Sequence, residues 1–360
     1  MSKIRVGILG ATGMVGQRFV TLLNKHPFFE VTILAASSRN VGKTYEEAVG
    51  PKWAMKEDIP EYAKKMLMMD VLDIDNVSKH VDMVFSAVKM DKDEIRAFEE
   101  EYARHEIIVV SNNSACRGID DVPMLLPECN IDHLEAIKHQ RKRLGCKHGF
   151  IVVKPNCSIQ SYAPVFYALK EFEPEVAVVS TYQAISGAGR TFETWPEMVE
   201  NIIPYIGGEE EKSEKEPLKV LGEVKDGVIV PMDGLKISCT CIRVPVVDGH
   251  TASVRVSFKK KPTREEFLRA IKEYSGVPQR EKLPHAPKQF IHYFEEEDRP
   301  QVKLDVDLEG GMAISVGRLE EDNIFQWKFV ALSHNTLRGA AGGGLLTAET
   351  LYALHYFDRE

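Results

Sequence analysis

The chain has 360 residues, of which 44% are hydrophobic and 28% are charged, and its formal net charge at pH 7 is −8. This length exceeds one comfortable hydrophobic core and predicts two domains. The acidic balance, with no long basic run to offset it, argues against binding to nucleic acid or to a membrane surface.

The N-terminus begins directly with a predicted strand, and no apolar run approaches the roughly 18 residues that would span a bilayer. We therefore expect a cytoplasmic protein. The six cysteines include no CxxC pair and no histidine spacing typical of zinc sites. We expect Cys239 and Cys241 to point to opposite faces of a strand and all thiols to be reduced, so the sequence predicts no metal site.

The first predicted strand, residues 3–9, runs into a glycine-rich loop and an amphipathic helix. Glycines let the backbone approach a pyrophosphate, and the helix N-terminus supplies N–H donors. The GxxGxxG spacing is a variant of the dinucleotide fingerprint. It predicts a dinucleotide site, with a tight turn that binds no ligand as the alternative, at Gly10, Thr12, Gly13, Met14 and Val15.

The second predicted strand, residues 31–36, ends in Ser37, Ser38 and Arg39. An NAD site usually has an acidic residue at this position, whereas Glu30 precedes the strand. Two hydroxyls and a guanidinium suit a 2′-phosphate, so NADP is the predicted cofactor. Lys43 follows on the same loop, and its side chain is either a phosphate contact or plain solvated surface.

The next segments continue an alternation of strands and helices. Residues 71–75 predict an edge strand, and further strands at 81–88 and 107–111 flank a helix at 91–105. Alternating elements of this length predict a Rossmann-like, doubly wound parallel sheet. Arg117 lies just beyond the last of these strands, where such sheets bind ligands, and is either an anion ligand or a solvated side chain.

Cys157 follows an apolar strand, residues 150–153, and precedes a predicted helix over 161–172. Unpaired N–H groups at a helix N-terminus favour a thiolate and predict a thiol pKa below the usual value of about 8.5. Asn156 or Ser158 would cap this helix. A buried structural thiol is the alternative interpretation.

The C-terminal half has long alternating strands, which predict a mixed or antiparallel sheet in an α+β catalytic and dimerisation domain. The predicted strands cover 175–185, 237–244, 251–258, 303–317 and 325–332. A helix is predicted from Thr191, and the charged run 209–219 predicts a helix with a solvated face. Asn335 precedes a glycine-rich helix entry, which requires close packing on another backbone or on a cofactor.

A nicotinamide site together with a reactive thiol indicates oxidoreduction through a covalent thioester. The thiol adds to an aldehyde, and hydride then leaves to the cofactor. This chemistry needs a proton-transfer group beside the sulfur and a cation for a charged substrate. Arg243 and His250 supply both within eight residues of sequence.

Several motifs follow one another along essentially the whole chain: GILGATGMVGQ, ASSRNVGK, KPNCSIQ, YQAISGAGR, YIGGEEEKSEKEPLKVLG, RVPVVDGH and HNTLRGAAGG. In these motifs the chain resembles the aspartate-β-semialdehyde dehydrogenase family, in the branch best known from archaea and fungi. The resemblance implies reversible, NADPH-dependent reductive dephosphorylation of L-aspartyl-4-phosphate, a step in the biosynthesis of lysine, threonine, methionine and isoleucine.

The resemblance also implies roles for individual residues. Cys157 would be the acyl nucleophile, His250 the acid/base and Gln183 a residue that orients the substrate. Arg243 would bind the substrate carboxylate, and Glu209 or Glu210 its amino group. The remaining implied contacts are Lys212, Asn112 and Arg117 for phosphate, Asn156 for substrate, and Ser186, Gly187 and Asn335 for the cofactor.

The predicted domains are an NADP-binding domain of residues 1–154, completed by a C-terminal helix in 335–360, and a catalytic and dimerisation domain of residues 155–334. A homodimer or homotetramer is expected. Alternatives are a malonyl-CoA (acyl-CoA) reductase, an N-acetyl-glutamyl-phosphate reductase, or a non-catalytic NADP-binding regulator of the same fold. Two stretches depart from the family pattern: SNNSACR at 111–117, and the three residues that follow Cys157.

Overall fold

A computed structural model describes residues 3–358, whose two larger sheets each have six strands. The first sheet contains β1 (Ile4–Leu9), β2 (Phe29–Ala36), β3 (Met68–Asp70), β4 (Met83–Ser86), β5 (Ile108–Ser111) and β6 (Phe150–Val153). All neighbouring pairs are parallel, in the order β3-β2-β1-β4-β5-β6. This is the order of a Rossmann fold, so the predicted doubly wound sheet is confirmed.

Helices cover both faces of this sheet, which explains why its strands are almost wholly apolar. They are α1 (Met14–Leu22), α2 (Tyr45–Val49), α3 (Glu61–Lys64), α4 (Ile74–Ser78), α5 (Lys92–Arg104) and α6 (Ile137–Leu144). The predicted edge strand over 71–75 is wrong in position. The edge strand is β3, and the Asp70 carboxylate accepts the Leu72 N–H at 3.0 Å in the turn that follows.

The second sheet contains β7 (Pro174–Gln183), β10 (Lys236–Arg243), β11 (His250–Phe258), β12 (Ile291–Phe294), β13 (Ile314–Glu321) and β14 (Trp327–Ser333). Its order is β10-β7-β11-β14-β13-β12, with parallel pairs at the two edges and antiparallel pairs between them. The predicted mixed sheet is confirmed. A separate hairpin joins β8 (Glu223–Lys225) to β9 (Val228–Val230).

The C-terminal half also contains α7 (Ala163–Ala168), α8 (Glu209–Val220), α9 (Arg264–Lys272), α10 (Val277–Arg280), α11 (Val302–Asp305), α12 (Leu308–Gly311) and α13 (Gly342–Ala353). One face of the second sheet is buried and shares its apolar core with α7 and α9. The opposite face is half-buried and includes the exposed Tyr182. Within residues 3–358, no helix is long and apolar enough to cross a membrane.

Three predicted elements differ from the structure. The predicted strand 303–317 begins only at Ile314, because α11 and α12 precede it and Gly310 and Gly311 take positive φ angles of 67° and 75°. The helix predicted from Thr191 is replaced by turns and a short 3₁₀ segment, Pro196–Met198. The helix predicted over 161–172 is reduced to α7 and a 3₁₀ turn.

Cys239 and Cys241 lie on the same face of β10, so the prediction of opposite faces is wrong. Side chains alternate along a strand, which places residues two apart on one side. Their sulfur atoms are 3.8 Å apart, and both side chains are buried. All six thiols are free, as predicted.

After β14, residues 334–341 lead back to the first sheet, and we call them the return segment. Leu345, Ala348 and Leu351 of α13 belong to the same apolar cluster as Ile8 and Phe19. Burying these side chains removes apolar surface from water, at about 25 cal/mol per Å². The last helix is therefore packed as part of the first sheet's core.

Arg338 anchors this return segment from within the protein. Its guanidinium is buried, binds both oxygens of the equally buried Glu128 carboxylate at 2.5 Å, and lies 4.6 Å from the centre of the Phe290 ring. Such bidentate pairing is specific to arginine. It ties the segment before α13 to the loop that follows β5.

Candidate active site

Cys157 is the first residue of a short 3₁₀ helix, Cys157–Ser161, that begins shortly after β6. Asn156 caps this helix, since its Oδ1 accepts the Ser158 N–H at 3.3 Å. The Cys157 thiol lies 3.3 Å from the same oxygen and donates to it. Cys157 is partly exposed, whereas the other five cysteines are buried.

His250 begins β11 and is completely buried beside the thiol. Its Nε2 lies 3.4 Å from the Cys157 Sγ, and its Nδ1 accepts the Ala184 N–H at 3.1 Å. Because Nδ1 is an acceptor, the neutral ring carries its proton on Nε2, facing the sulfur. The resting imidazole is therefore placed to donate a hydrogen bond toward Cys157, and in this tautomer its Nε2 cannot accept the thiol proton.

Burial dominates the electrostatics of this pair. It raises the pKa of Cys157, as does Glu209, while Lys154, Arg117 and Arg243 oppose the shift. The predicted lowering of the thiol pKa is thus wrong, because five residues of 3₁₀ helix do not offset the loss of hydration. Burial and the Arg243 charge lower the pKa of His250 to about 3. The Cys157 thiol and the His250 imidazole are therefore both neutral at rest.

Arg243 ends β10, and its guanidinium lies near Cys157 and His250. Its Nη1 donates to the Ala184 carbonyl at 2.6 Å, and its Cα pairs in register with that of Gln183 at the end of β7. A β-carbon on Gly187 would lie 3.1 Å from both Arg243 Nη1 and His250 Nε2. Gly187 therefore sits directly beside the space that these two side chains flank.

The predicted helix over 209–219 is confirmed as α8, whose solvated face carries Glu211 and Lys215, while its buried face completes one wall of the site. Glu209 accepts a hydrogen bond from Asn156 Nδ2 at 2.6 Å, and Lys212 Nζ lies 3.3 Å from Glu209. Glu210 is not part of this cluster. Its carboxylate instead accepts the backbone N–H of Cys241 at 3.1 Å.

Glu216 is a site residue that sequence reasoning missed. It accepts the Asn156 N–H at 2.5 Å and an Arg117 Nη1 hydrogen bond at 2.9 Å. The signal was available, because positions 209 and 216 lie seven residues apart and share one face of a helix. Arg117 also donates to the Asn112 carbonyl at 3.1 Å.

Lys154 was also missed, because a lysine after a strand is usually on the surface. It is buried at the carboxyl end of β6 and donates a hydrogen bond to the Pro155 carbonyl. Burial, reinforced by the Arg117 charge, lowers the pKa of Lys154 to about 7. A positive charge on Lys154 opposes the rise in the pKa of Cys157, so Lys154 belongs to the electrostatic environment of the site.

A cleft of about 320 Å³ opens at the carboxyl ends of β1, β2 and β4. Gly10 has φ of +85°, and a β-carbon there would lie 2.4 Å from the Ala87 carbonyl oxygen, so this position requires glycine. A β-carbon on Gly13 would meet nothing closer than 3.5 Å. The glycine loop therefore makes the turn and leaves open space in front of α1.

The cleft has the donors that an anionic dinucleotide requires. Helix α1 starts at Met14 and Val15 with neither a side-chain cap nor an acidic first turn, so its first N–H groups are left for a ligand. Ser37, Ser38 and Arg39 line the cleft beyond β2, and Thr12 lines it beside the glycines. These residues fit NADP, whose pyrophosphate and 2′-phosphate need such donors.

The other residues that the resemblance assigns to the cofactor lie near His250. Asn335 is buried and donates from Nδ2 to Ser186 Oγ at 2.8 Å, while its Oδ1 accepts the Gly249 N–H at 2.8 Å. It thus ties the return segment to the loops on either side of His250. Ser186 and Gly187 do not line the cleft around Gly10.

Comparison with protein families identifies both units. A model described as "Semialdehyde dehydrogenase, NAD binding domain" matches residues 5–137, and "Semialdehyde dehydrogenase, dimerisation domain" matches residues 163–338. Together they include both six-stranded sheets except for β6.

The chain is also similar to named proteins over nearly its full length. It is 42% identical to the aspartate-semialdehyde dehydrogenase of Methanothermobacter thermautotrophicus over 357 residues, which cover 97% of this chain and 99% of that protein. It is 39% identical to the Candida albicans enzyme over 366 residues, covering 98% and 99%. A crystal structure of aspartate-semialdehyde dehydrogenase with NADP from Candida albicans aligns with a TM-score of 0.86, 37% identity and coverage of 99% and 100%.

Thiol alkylation tests the exposure and the pKa of Cys157 together. With iodoacetamide we expect Cys157 to be labelled first, because the other thiols are buried. Cys241 is the informative comparison, since a hydrogen bond from Cys239 lowers its pKa although it is inaccessible.

Because the reactive species is the thiolate and the pKa of Cys157 is raised, its labelling should be slow at pH 7 and should keep accelerating above the usual thiol pKa of about 8.5. Mass spectrometry of tryptic peptides after brief labelling at several pH values measures this. A labelling rate at Cys157 that is already constant at pH 7 would contradict the raised pKa.

Proposed function

The chain belongs to the aspartate-semialdehyde dehydrogenase family, and from this premise we propose that the cluster around Cys157 is its catalytic site. The enzyme is an NADP-dependent oxidoreductase of amino-acid biosynthesis. It reduces L-aspartyl-4-phosphate to L-aspartate-4-semialdehyde, reversibly and with release of phosphate. The observation that carries the site assignment is the Cys157 Sγ to His250 Nε2 distance of 3.4 Å.

Cys157 forms and later breaks the covalent bond to substrate. Its sulfur attacks the carbonyl carbon of the acyl phosphate, and the electron pair of the broken C–O bond leaves with phosphate. The phosphate takes up the proton that the thiol loses, and a thioester remains. Bound NADPH supplies the hydride that reduces the acyl group. When the C–S bond then breaks, its electron pair returns to Cys157 and the aldehyde is released.

His250 stabilises negative charge in this sequence. Its Nε2–H can donate a hydrogen bond to the ionised sulfur and to the oxygen of the tetrahedral species without giving up its only ring proton. Ala184 enforces this tautomer, because a proton on Nδ1 would face the Ala184 N–H. In the reverse direction the same N–H can stabilise the negative oxygen that forms when Cys157 adds to the aldehyde.

The charged residues bind the two ends of the substrate. Arg243 binds the α-carboxylate and Glu209 binds the amino group, which Glu210 cannot reach from the edge of β10. Gln183 and Asn156 orient the substrate carbonyl. Phosphate binds to Lys212, Asn112 and Arg117.

For the cofactor we propose that the pyrophosphate lies over Gly10, Thr12, Gly13, Met14 and Val15. Ser37, Ser38 and Arg39 hold the 2′-phosphate. The nicotinamide end reaches Ser186, Gly187 and Asn335 beside His250. This arrangement assigns residues 1–154 and 335–360 to an NADP-binding domain, supported by the packing of α13, and residues 155–334 to a catalytic domain.

We further propose a homodimer, or a homotetramer built from such dimers, in which the half-buried face of the second sheet meets its counterpart. This face carries the exposed ring of Tyr182 and lies within the segment that matches a dimerisation domain. Six free cysteines suit a reducing compartment, so we propose the cytoplasm as its location.

The activity is tested by NADPH formation from aspartate semialdehyde, phosphate and NADP, with malonyl-CoA reduction as the competing assay. Cys157→Ala should abolish turnover, and Cys157→Ser should be nearly as inactive because a hydroxyl is far harder to ionise. His250→Asn should lower kcat by about 10²–10⁴ while NADP still binds. Full activity of Cys157→Ala would refute the covalent mechanism.

Arg243→Lys tests the proposed carboxylate contact. A lysine keeps the charge but cannot form the bidentate fork, so kcat/KM for aspartate semialdehyde should fall while the fold persists. Steady-state kinetics and thermal unfolding measure the two effects separately. Unchanged kinetics with a lower Tm would show that Arg243 is only structural.

Arg39→Ala tests the preference for NADP. Loss of one charge-assisted hydrogen bond should weaken NADP binding by roughly 1.5–3 kcal/mol and leave NAD binding almost unchanged. Calorimetric titration with both cofactors measures this, and Lys43→Ala, on the same loop but outside the lining of the cleft, is the matched control. An equal loss for NAD and NADP would mean that Arg39 merely supports the loop.

A further inference from the structure

Residues 111–117, which we call the phosphate loop, hold two of the three proposed phosphate ligands. The backbone N–H of Asn112 donates to the Ser86 carbonyl at 2.9 Å, and Arg117 binds the Asn112 carbonyl. Both polar atoms of the Asn112 side chain are buried and lack hydrogen-bond partners within residues 3–358. The conformation of this loop therefore decides where Asn112 and Arg117 can meet an anion.

Glu99, on α5, lies beneath this loop and is completely buried. Its Oε1 accepts hydrogen bonds from Ser111 Oγ at 2.6 Å and from Asn113 Nδ2 at 3.0 Å. Ser111 Oγ accepts the Asn113 N–H at 3.0 Å, and Asn113 Nδ2 also reaches Ser86 Oγ at 3.0 Å. One carboxyl oxygen thus joins the ends of β4 and β5 to the start of the phosphate loop.

The surroundings of Glu99 favour its protonated form more than water does. Burial raises its pKa, against hydrogen bonds from Ser111 and Asn113 that favour the carboxylate. Burial also raises the pKa of the neighbouring Cys116 thiol. Asn113 and Cys116 belong to the SNNSACR stretch that departs from the family pattern, and both face Glu99, not the substrate.

A buried carboxyl group has a large desolvation cost, so its presence beneath a binding loop requires an explanation. We propose that Glu99 is a positioning residue for phosphate: through Ser111 and Asn113 it holds the phosphate loop so that Asn112 and Arg117 meet the anion. The inference rests on the proposed roles of Asn112 and Arg117. Glu99 itself touches neither substrate nor cofactor.

In the oxidative direction phosphate is a separate substrate, so its KM can be measured apart from those of aspartate semialdehyde and NADP. Glu99→Leu removes the acceptor at similar volume and should raise the KM for phosphate roughly tenfold, about the effect of one lost hydrogen bond. The other two KM values should change less than twofold. Glu99→Gln keeps a carbonyl acceptor, so its KM for phosphate should remain close to that of the unmodified protein.

Ser111→Ala breaks the same link with less disruption and should raise the KM for phosphate even if Glu99→Leu does not fold. Glu101→Leu makes the same chemical change on the partly exposed side of α5 and is the matched control, with no change in any KM expected. Circular dichroism and thermal unfolding verify that each variant is folded.

Arg117→Ala separates the two ways in which the proposal can fail. If it raises the KM for phosphate while Glu99→Leu and Ser111→Ala do not, the phosphate site stands and the role of Glu99 is overturned. If Arg117→Ala leaves this KM unchanged, the phosphate site itself is misplaced and the inference falls with it. A uniform rise of all three KM values in Glu99→Leu would show a general structural role and would also overturn it.

Discussion

The position of the Cys157 thiol depends on a contact that leaves no room for a side chain. A β-carbon on Gly339 would lie 2.7 Å from the Cys157 β-carbon, so the return segment packs directly against Cys157. The neighbouring Arg338 holds this segment through its buried pair with Glu128, and removing one partner of such a pair typically costs about 3–5 kcal/mol. Because the same segment leads into α13 and the core of the first sheet, Cys157 is fixed relative to the nucleotide cleft.

The enclosure that fixes the thiol also suppresses its ionisation. Burial raises the pKa of Cys157, and Glu209 adds to the shift, while three nearby cations oppose it. Charge interactions are strong in such a low-dielectric site. If Glu209 binds the substrate amino group as proposed, the ammonium charge would cancel the carboxylate's contribution and favour the thiolate. Binding of substrate would then increase the reactivity of Cys157.

Local patterns were enough to predict the nucleotide-binding half of the fold. The glycine loop between β1 and α1 is recognisable because its geometry depends on a few adjacent residues. The pairing of Cys157 with His250 was also predicted, from the proton-transfer group that a reactive thiol needs and from the family resemblance, since spacing alone does not bring residues 93 positions apart together. The pKa of Cys157 was not predictable, because it depends on how completely distant elements exclude water.

Three acidic residues that the sequence did not single out have one physical feature in common. Glu99, Glu216 and Glu128 are buried, although acidic side chains are usually exposed. Each is explained only by a partner that the fold brings near: Ser111 at 12 residues' separation, Arg117 at 99 and Arg338 at 210. Partners so far apart along the chain leave no local pattern in the sequence that would pair them. A buried carboxyl group nevertheless needs a hydrogen-bond partner to offset its lost hydration. A charged residue whose predicted helix face is otherwise apolar is therefore the position where a distant partner should be sought first.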